Sequence, residues 1–257
     1  MKKFLTLVLS SIMVLSLFAC GNNSASNETV AQTNDSALIA KLVMCTNAEF
    51  PPYEYKDEAE FKGIDIEIAK LIGEQLGAEV EILDIAFDAC IPTVMSGKAD
   101  FAMAGMTVTE DRLENVDFSE TYQKAVQAVI VLSDSTIASI DDMAGKKIGV
   151  QTGTTGDIYC TDDFGEDSME RYAKIVDGVQ AMKAGKIDAC VVDDQVAKAI
   201  VDTDPEGLKI LDTAYAEEEY AIAVKKGNVE LLNNINAAIK ELKANGKLQN
   251  IIDAYIK

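Results

Sequence analysis

The sequence predicts an α/β protein with two related lobes, each built on a mostly parallel sheet with helices on both faces. Three observations support this fold class. Short apolar runs alternate with helically spaced apolar residues, as in β-α-β units. The pattern Gly-Lys-x-Asp, followed by four apolar or small residues, occurs twice, in residues 96–107 and 184–195. Two long apolar runs, 124–132 and 219–224, suit strands that cross between the lobes.

The first 19 residues are predicted to be a signal peptide. Lys2 and Lys3 precede an apolar run of about 15 residues, and the small Ala19 stands directly before Cys20. This order is typical of an exported chain and resembles the bacterial lipoprotein signal, in which the cysteine is lipidated and becomes the new N-terminus. A transmembrane anchor is the alternative, but the run is short for a membrane span. We therefore expect Cys20 to be the lipid anchor.

Residues 20–36 carry small and polar side chains with almost nothing to bury. Such a composition favours a flexible tether. A tethered domain of this kind works outside the membrane, either on a cell surface or in a periplasm.

The first half of the remaining chain follows a β-α-β-α-β order. Residues 42–46 are predicted as a strand, and the spacing of apolar residues predicts a helix over 65–76 that ends at Gly77. The next predicted elements are a strand around Val80 and Ile82, a short helix over 91–95 and a strand over 101–104.

The second half restarts this order. Its predicted elements are strands over 147–150 and 189–192 and helices over 179–184 and 194–201, followed by a strand over 220–224 and helices over 228–245 and 247–256. We assign residues 37–123 plus 219–257 to lobe 1 and residues 124–218 to lobe 2.

The composition excludes several classes of partner. The net charge is −20 and becomes −22 when Lys2 and Lys3 leave with the signal peptide, because 21 basic then face 43 acidic side chains. Nucleic-acid binding needs a basic surface and is not expected. There is no histidine, and cysteines 45, 90, 160 and 190 lack metal-ligand spacing, so neither a metal nor a cofactor is predicted. Whether any of these cysteines pair in a disulfide stays open.

The repeated pattern also locates a candidate site. In open α/β sheets, ligands bind beyond the carboxyl ends of strands. The first copy leads into Gly105, Thr107 and Arg112, and the second leads into Asp193. The stretch Thr-Gly-Thr-Thr-Gly at 152–156 offers backbone N–H groups at a helix start, which suits an anion.

A cation with an N–H nest on one side and a carboxylate on the other match a zwitterion with adjacent carboxylate and ammonium groups. Arginine grips a carboxylate with two parallel donors, which lysine cannot do. Each residue also has a structural interpretation. Arg112 could pair with Glu110 or Glu114 on the surface, and Asp193 could cap the following helix.

Five segments carry a family resemblance, in the same order along the chain. The segments 47–55, 63–77, 104–122, 148–156 and 188–194 resemble the family-3 solute-binding proteins of polar amino-acid ABC importers. The resemblance covers essentially everything after the tether, and 104–122 is its most specific part. It implies a type II periplasmic-binding-protein-like fold, with two α/β lobes joined by two hinge strands and the ligand trapped between them.

The resemblance also implies residue roles. Arg112 would hold the α-carboxylate of a free amino acid, assisted by Thr107 and the backbone N–H of Thr155. The Gly105 carbonyl and Asp193 would hold the α-ammonium. The remaining predicted ligand-binding residues are Phe50 and Phe87, which would pack on the ligand side chain unless they are core aromatics, and Asn47 and Glu49.

The side-chain end of this site predicts a ranking of ligands. Glu49 would pair with a cationic side chain, and the two phenylalanines would pack on its methylene groups. We therefore expect arginine, lysine or histidine first, neutral polar amino acids such as glutamine second, and glutamate or aspartate last.

By the same resemblance, the protein is expected to be a monomeric receptor that delivers its ligand to ABC permease subunits, without catalysis. Two alternatives stay open. A cleft enzyme of similar fold, such as a dehydratase, would use Asp193 or Glu49 as a general acid. A sensor would report the amino acid to a separate signalling protein.

Overall fold

The computed structural model describes residues 41–212 and 214–256, so the predicted signal peptide, Cys20 and the tether lie outside the described residues. Within these ranges, the first of two large sheets has five strands. They lie in the spatial order β5 (Glu79–Asp84), β1 (Lys41–Thr46), β6 (Phe101–Ala102), β14 (Ala223–Lys225) and β7 (Val116–Phe118). β1 is parallel to β5 and β6, whereas β14 is antiparallel to β6 and β7.

The second sheet likewise combines parallel and antiparallel strand pairs. Its strands lie in the order β10 (Met169–Tyr172), β9 (Ile148–Gln151), β11 (Ala189–Asp193), β8 (Gln123–Leu132) and β12 (Leu208–Ile210), and β13 (Ala216–Tyr220) also pairs with β8. β9 is parallel to β10 and β11, whereas β8 is antiparallel to its neighbours. Both sheets are thus mixed rather than mostly parallel, because the strands next to the crossings between the lobes run against the β-α-β strands.

Helices cover both faces of the sheets. Their bounds are α1 (Ile64–Leu76), α2 (Phe87–Met95), α3 (Glu110–Asn115), α4 (Thr155–Phe164), α5 (Ile175–Lys183), α6 (Asp194–Asp202), α7 (Val229–Ala244) and α8 (Lys247–Tyr255), with short 3₁₀ turns at Ile140–Met143 and Glu166–Ser168. Alternate residues of β1 serve opposite faces. Leu42 and Met44 pack in one core with α1 and α7, and Cys45 packs in another with Cys90 of α2.

Two segments connect the sheets side by side. Residues 119–122 lead from β7 to β8, and residues 221–222 lead from β13 to β14. Backbone hydrogen bonds join them, from Ser119 N to Ile222 O and from Tyr122 N to Tyr220 O, both at 2.9 Å. The strand predicted over 220–224 is therefore interrupted, because the chain changes sheets there. The lobe boundaries given above remain a prediction.

Three other features complete the fold. A small antiparallel sheet of β2 (Glu49–Phe50), β3 (Glu54–Asp57) and β4 (Glu60–Lys62) precedes α1. Gly77 ends α1 in the left-handed conformation, as predicted. α2 begins at Phe87 rather than at residue 91. Across 41–212 and 214–256, no helix combines the length and apolar character needed to cross a membrane.

Candidate functional site

A small cavity lies where strand ends of both sheets meet. Its free volume is about 20 Å³, room for about one water molecule. Its lining residues come from both halves of the chain and are Asn47, Phe50, Glu54, Phe87, Ala104, Gly105, Thr107, Arg112, Gln127, Gln151, Thr154, Thr155 and Tyr220. Seven of the nine predicted ligand-binding residues are in this lining, and Asp193 and Glu49 are not.

Arg112 lies on α3, whose first turn is capped by the Thr109 hydroxyl, which accepts from the Arg112 backbone N–H at 3.2 Å. The side chain is only 7% exposed. Its guanidinium donates to the carbonyl of Thr107 at 2.8 Å and to that of Gly153, in the other half of the chain, at 3.0 Å. The Phe87 ring centroid lies 5.3 Å from its central carbon. Two of its five N–H donors are thereby used, and burial lowers the pKa of Arg112 from its ordinary value, although a guanidinium stays charged in proteins.

Thr107 is buried beside Arg112, but its hydroxyl points to a different partner. It donates to Oε2 of Glu218 at 3.0 Å, and the Gln127 side-chain amide donates to the same oxygen at 3.0 Å. Glu218 lies on β13, next to the crossing, and sequence reasoning did not identify it. Thr107 therefore links the cavity to β13 and β8, the strands that adjoin the crossing segments.

Thr155 opens α4 directly after its N-cap, Thr154, whose side chain accepts from the backbone of Asp157. Thr155 is 3% exposed. The first N–H groups of a helix have no intrahelical acceptor, and the helix dipole favours an anion at this end. Gly153 supplies the preceding turn with a φ of 76°. The stretch 152–156 therefore forms the predicted helix start beside Arg112.

Gly105 is needed where it stands. It has a φ of 51°, and a Cβ there would lie 2.9 Å from the Phe50 ring and 3.3 Å from the Tyr220 ring. A larger residue would therefore both strain the backbone and displace these rings. Phe50 also stacks on Tyr53, with ring centroids 5.8 Å apart. Phe50 and Phe87 both line the cavity while packing on the core, so each fits both interpretations given above.

Asn47 and Glu49 lie close in sequence but face different surroundings. Asn47 is 8% exposed, and its Oδ1 accepts from the Gln151 side chain across the cavity at 2.8 Å. Glu49 is partly exposed outside the cavity lining and forms an ion pair with Lys174. The structure does not place Glu49 with the other predicted ligand-binding residues, and its carboxylate pairs instead with Lys174, which is distant in sequence.

Asp193 is fully buried behind Tyr220. Its Oδ1 caps α6 by accepting from the backbone N–H groups of Gln195 and Val196 at 2.9 and 3.4 Å. Its Oδ2 accepts from the Tyr220 hydroxyl at 2.6 Å. Burial raises the pKa of Asp193 to about 7, and the Tyr220 hydrogen bond opposes this rise. The helix-capping interpretation therefore describes this structure, and Tyr220 separates the carboxylate from the cavity.

Glu54 is the acidic lining residue that sequence reasoning missed. It is 1% exposed, and both of its carboxyl oxygens are buried without a hydrogen-bond partner among the described residues. Burial, followed by the charge of nearby Asp65, raises its pKa well above the ordinary value. The burial of Asp65 could have been found from the sequence, because helical spacing places it on the apolar face of α1 with Ile68, Ala69 and Ile72.

The cavity lining combines one basic and one acidic side chain with polar and aromatic ones. Among the described residues that form it, Arg112 is the one cationic and Glu54 the one anionic side chain. The described residues contain no group of three or more His, Cys, Asp or Glu side chains that could hold a metal ion. The charged groups of the lining are thus chemically complementary to a small polar molecule that carries both charges.

Fold and site together define a two-lobed α/β protein with a polar cavity between its lobes. Residues 42–257 match the model of the bacterial extracellular solute-binding proteins, family 3. The chain belongs to this family, as the sequence motifs predicted.

Curated relatives match over nearly the whole chain. The arginine-binding extracellular protein ArtP of Bacillus subtilis (strain 168) is 33% identical over 256 residues, covering 98% of this chain and 96% of ArtP. The ABC transporter glutamine-binding protein GlnH of the same organism is 30% identical over 269 residues, covering 100% and 98%.

Solved structures show the same fold. An ancestral arginine-binding protein is 40% identical and superposes with a TM-score of 0.80, both in its glutamine-bound and its arginine-bound structure. The first covers 84% of this chain and 98% of that one, and the second covers 86% and 100%. The predicted two-lobe fold class is confirmed.

Proposed function

We propose that the protein captures a free α-amino acid with a cationic or polar side chain and delivers it to an ABC importer. The observation that carries this proposal is the pairing of one buried guanidinium, Arg112, with one buried carboxyl, Glu54, as the charged groups of a cavity between the lobes. A ligand with separate anionic and cationic groups satisfies both.

The α-carboxylate binds Arg112, whose remaining donors supply the fork, and the backbone N–H of Thr155 assists at the start of α4. The α-ammonium donates to the Gly105 carbonyl. Asp193 joins it when the Tyr220 hydroxyl, which now donates to this carboxylate, turns aside.

Capture requires movement of the lobes. A cavity of about 20 Å³ is too small for any amino acid, so the lobes open for the ligand to enter and close around it. Contacts that already span the cavity, from Arg112 to Gly153 and from Gln151 to Asn47, stabilise the closed form. The ligand adds bridging contacts to both lobes and so shifts the population further toward closure.

The ranking of ligands keeps its order, with arginine, lysine and histidine first, neutral polar amino acids second and acidic ones last. Its basis moves from Glu49, which pairs with Lys174, to Glu54. An acidic side chain would bring a like charge beside this buried carboxyl in a site that excludes water, which is costly. The arginine- and glutamine-binding relatives support the first two ranks.

The remaining parts of the proposal concern the cell. Cys20 anchors the protein by a lipid on the outer side of the membrane, and residues 20–36 let a monomer reach the permease subunits. Binding is followed by release to the importer, with no covalent chemistry.

The test is thermal unfolding of the purified protein with single amino acids. At about 100 times Kd, a ligand adds roughly 2.7 kcal/mol, which for a domain of this size raises Tm by about 5–11 °C. Arginine, lysine or histidine is expected to give the largest rise. If none of the common amino acids changes Tm, the proposed function is wrong, and a large rise with glutamate alone would reverse the ranking.

A further inference from the structure

Three buried carboxyl groups from different elements lie near one another, one of them in the cavity lining and two outside it. Glu54 comes from β3, Asp65 from α1 and Asp193 from the end of β11, and each is at most 1% exposed. Asp65 is held in place through Oδ2, which accepts from the Gly105 backbone N–H and from the Tyr122 hydroxyl, both at 2.9 Å. Since Gly105 itself lines the cavity, Asp65 connects the cavity wall to the carboxyl group of Glu54.

The carboxyl groups of Glu54 and Asp65 interact, and one shared proton would supply a hydrogen bond between their unpaired oxygens. Oδ1 of Asp65 and both oxygens of Glu54 are buried without a partner among the described residues. Two ionised carboxylates cannot donate to each other, whereas a protonated carboxyl donates to its neighbour. Buried carboxyls that lie side by side therefore favour sharing a proton, as one negative charge rather than two.

The protonation state of Glu54 changes what the cavity can bind. As a carboxylate, Glu54 only accepts hydrogen bonds and attracts a cation. As a carboxylic acid, it is neutral and offers one donor, which suits the carbonyl of a carboxamide. The cavity therefore has two charge states that fit different ligand side chains.

We propose that Glu54, coupled to Asp65, makes the ligand selectivity of this site depend on protons, so that the ionised site prefers a cationic side chain and the protonated site accepts a neutral amide. This inference rests on the proposed function, because it concerns the amino acid held between Arg112 and Glu54. A ligand such as arginine brings two cationic groups and one carboxylate, so it needs one more negative charge from the protein than glutamine does. Binding of the cationic ligand therefore expels a proton, and binding of the neutral ligand does not.

Burial and the neighbouring carboxyl groups all favour the protonated form of Glu54. Burial raises the pKa of Glu54 most, followed by the charge of Asp65, by side-chain hydrogen bonding with Asp65 and then by the charge of Asp193. Burial also raises the pKa of Asp65 to about 6, while its bonds from Gly105 and Tyr122 oppose the rise. Burial, and then the charges of Asp193, Asp194 and Asp65, raise the pKa of Tyr53 above its ordinary value, so its hydroxyl stays neutral. Arg112 is the cation of the same cavity, and the α-carboxylate of either ligand neutralises it.

The experiment is calorimetric titration of the protein with L-arginine and with L-glutamine between pH 5.5 and 7.5, in two buffers that differ in ionisation enthalpy. The α-groups of the two ligands are the same, so their own titration cancels in the ratio of affinities. We expect the preference for arginine over glutamine to increase with pH, by up to about tenfold per pH unit for one proton. We also expect arginine binding to release protons and glutamine binding to release none.

Two variants test whether Glu54 and Asp65 cause the pH dependence of the arginine-to-glutamine affinity ratio. Glu54→Gln has nearly the same shape but cannot ionise, so its arginine-to-glutamine ratio should be low and constant with pH while glutamine still binds. Asp65→Asn removes a negative neighbour of Glu54, so the midpoint of the selectivity change should move to lower pH. A merely structural role for Asp65 would lower both affinities without moving this midpoint. Unfolding curves of both variants check that they are folded.

A ratio that stays within about threefold from pH 5.5 to 7.5, without proton release, would overturn the proposal even though both ligands bind. A pH-dependent ratio that persists in Glu54→Gln would overturn the assignment to Glu54. If neither amino acid binds at any pH, the proposed function fails and this inference fails with it, which is a different outcome from binding without pH dependence.

Discussion

Residues 96–107 and 184–195 begin as the same structure and end as different ones. Gly97 and Gly185 turn the chain with φ values of 74° and 70°. In each copy, the aspartate that follows bonds to the start of a neighbouring strand, β1 for Asp100 and β9 for Asp188, through both its backbone and its side chain. Asp100 N donates to the carbonyl of Val43 in β1, and Asp188 N donates to that of Lys147, directly before β9, both at 2.8 Å.

The side-chain bonds are equally alike. Oδ2 of Asp100 accepts from Val43 N at 2.7 Å, and Oδ2 of Asp188 accepts from Lys147 N at 2.8 Å. Each copy then continues as a strand parallel to the one it bonds to, β6 beside β1 and β11 beside β9. The Gly-Lys-x-Asp pattern is therefore a framework device that starts a strand beside an existing one.

The copies diverge at the carboxyl ends of their strands, where the site lies. The first strand stops after Ala102, and the chain bends at Gly105 toward Thr107 and Arg112. The second strand continues to Asp193, which caps α6 directly. A shared turn thus builds both lobes, while the residues after each strand differ: those after the first copy place the Arg112 cation in the cavity lining, and Asp193 after the second copy caps α6 behind Tyr220.

The largest loss of ligand affinity is expected when the cation that follows the first copy is removed. Truncating one partner of a buried charge pair costs about 2–5 kcal/mol, or roughly 30- to 4,000-fold in affinity. Arg112→Ala should weaken binding of the preferred amino acid by this amount, and Arg112→Lys by about tenfold or more, because the fork is lost. Calorimetry measures both, with the exposed Lys98→Ala in the same segment as control. Unchanged affinity of Arg112→Ala would contradict the role given to Arg112.

The second copy is tested through the pH dependence of stability. The pKa of Asp193 rises from 3.8 to about 7 on folding. Between these values the folded state holds a proton that the unfolded state has lost, so stability decreases as pH rises. From pH 5 to 7.5 this contributes a loss of about 2.5 kcal/mol in the free energy of unfolding. Thermal unfolding without ligand should therefore show a steeper decrease for the parent than for Asp193→Asn, and equal slopes would refute this assignment.

The hydrogen bond that each aspartate side chain accepts, at Asp100 and at Asp188, predicts a smaller difference in stability between variants of the two copies. Hydrogen bonds to charged groups contribute about 1.5–3 kcal/mol, and less where water competes. Asp100 is half-buried and Asp188 is exposed. In denaturant unfolding, Asp100→Ala should therefore lose about 1–2 kcal/mol and Asp188→Ala less than about 1 kcal/mol. Ligand affinity should stay within a few fold in both, and a larger loss for Asp188→Ala would reverse the expected order.

The smallest expected effect sharpens the assignment of charges around the cavity. Exposed ion pairs contribute about 0–1 kcal/mol, so Glu49→Gln, which breaks the pair with Lys174, should change arginine affinity by less than about fivefold. Lys174→Gln is the matched control, since it breaks the same pair from the other side. A much larger loss in Glu49→Gln alone would mean that Glu49 turns inward to the ligand.

Many helices and strands could be predicted because their formation depends on the spacing of apolar residues and on turn residues nearby in sequence. The apolar spacing and Gly77 predicted α1 to within a residue. The pattern failed where pairing between distant segments decided the outcome. The apolar run 220–224 reads as one strand, yet it is divided because Tyr220 pairs with β8 and Ala223 with β6. Periodicity reports which residues are buried, not which partner buries them.

The sequence alone determined the α/β class, the family, the two-lobe plan and the residues after each repeated turn, since these depend on local spacing and specific motifs. The choice of Glu54 as the carboxyl group in the cavity lining depends on tertiary contacts. Glu49 and Glu54 stand in the same short segment, but Lys174 holds the first outside, while the second is buried beside Asp65. Similarly, Tyr220 comes between Asp193 and the cavity. The orientation of a charged side chain depends on partners brought close by the fold, and a single sequence does not contain those distances.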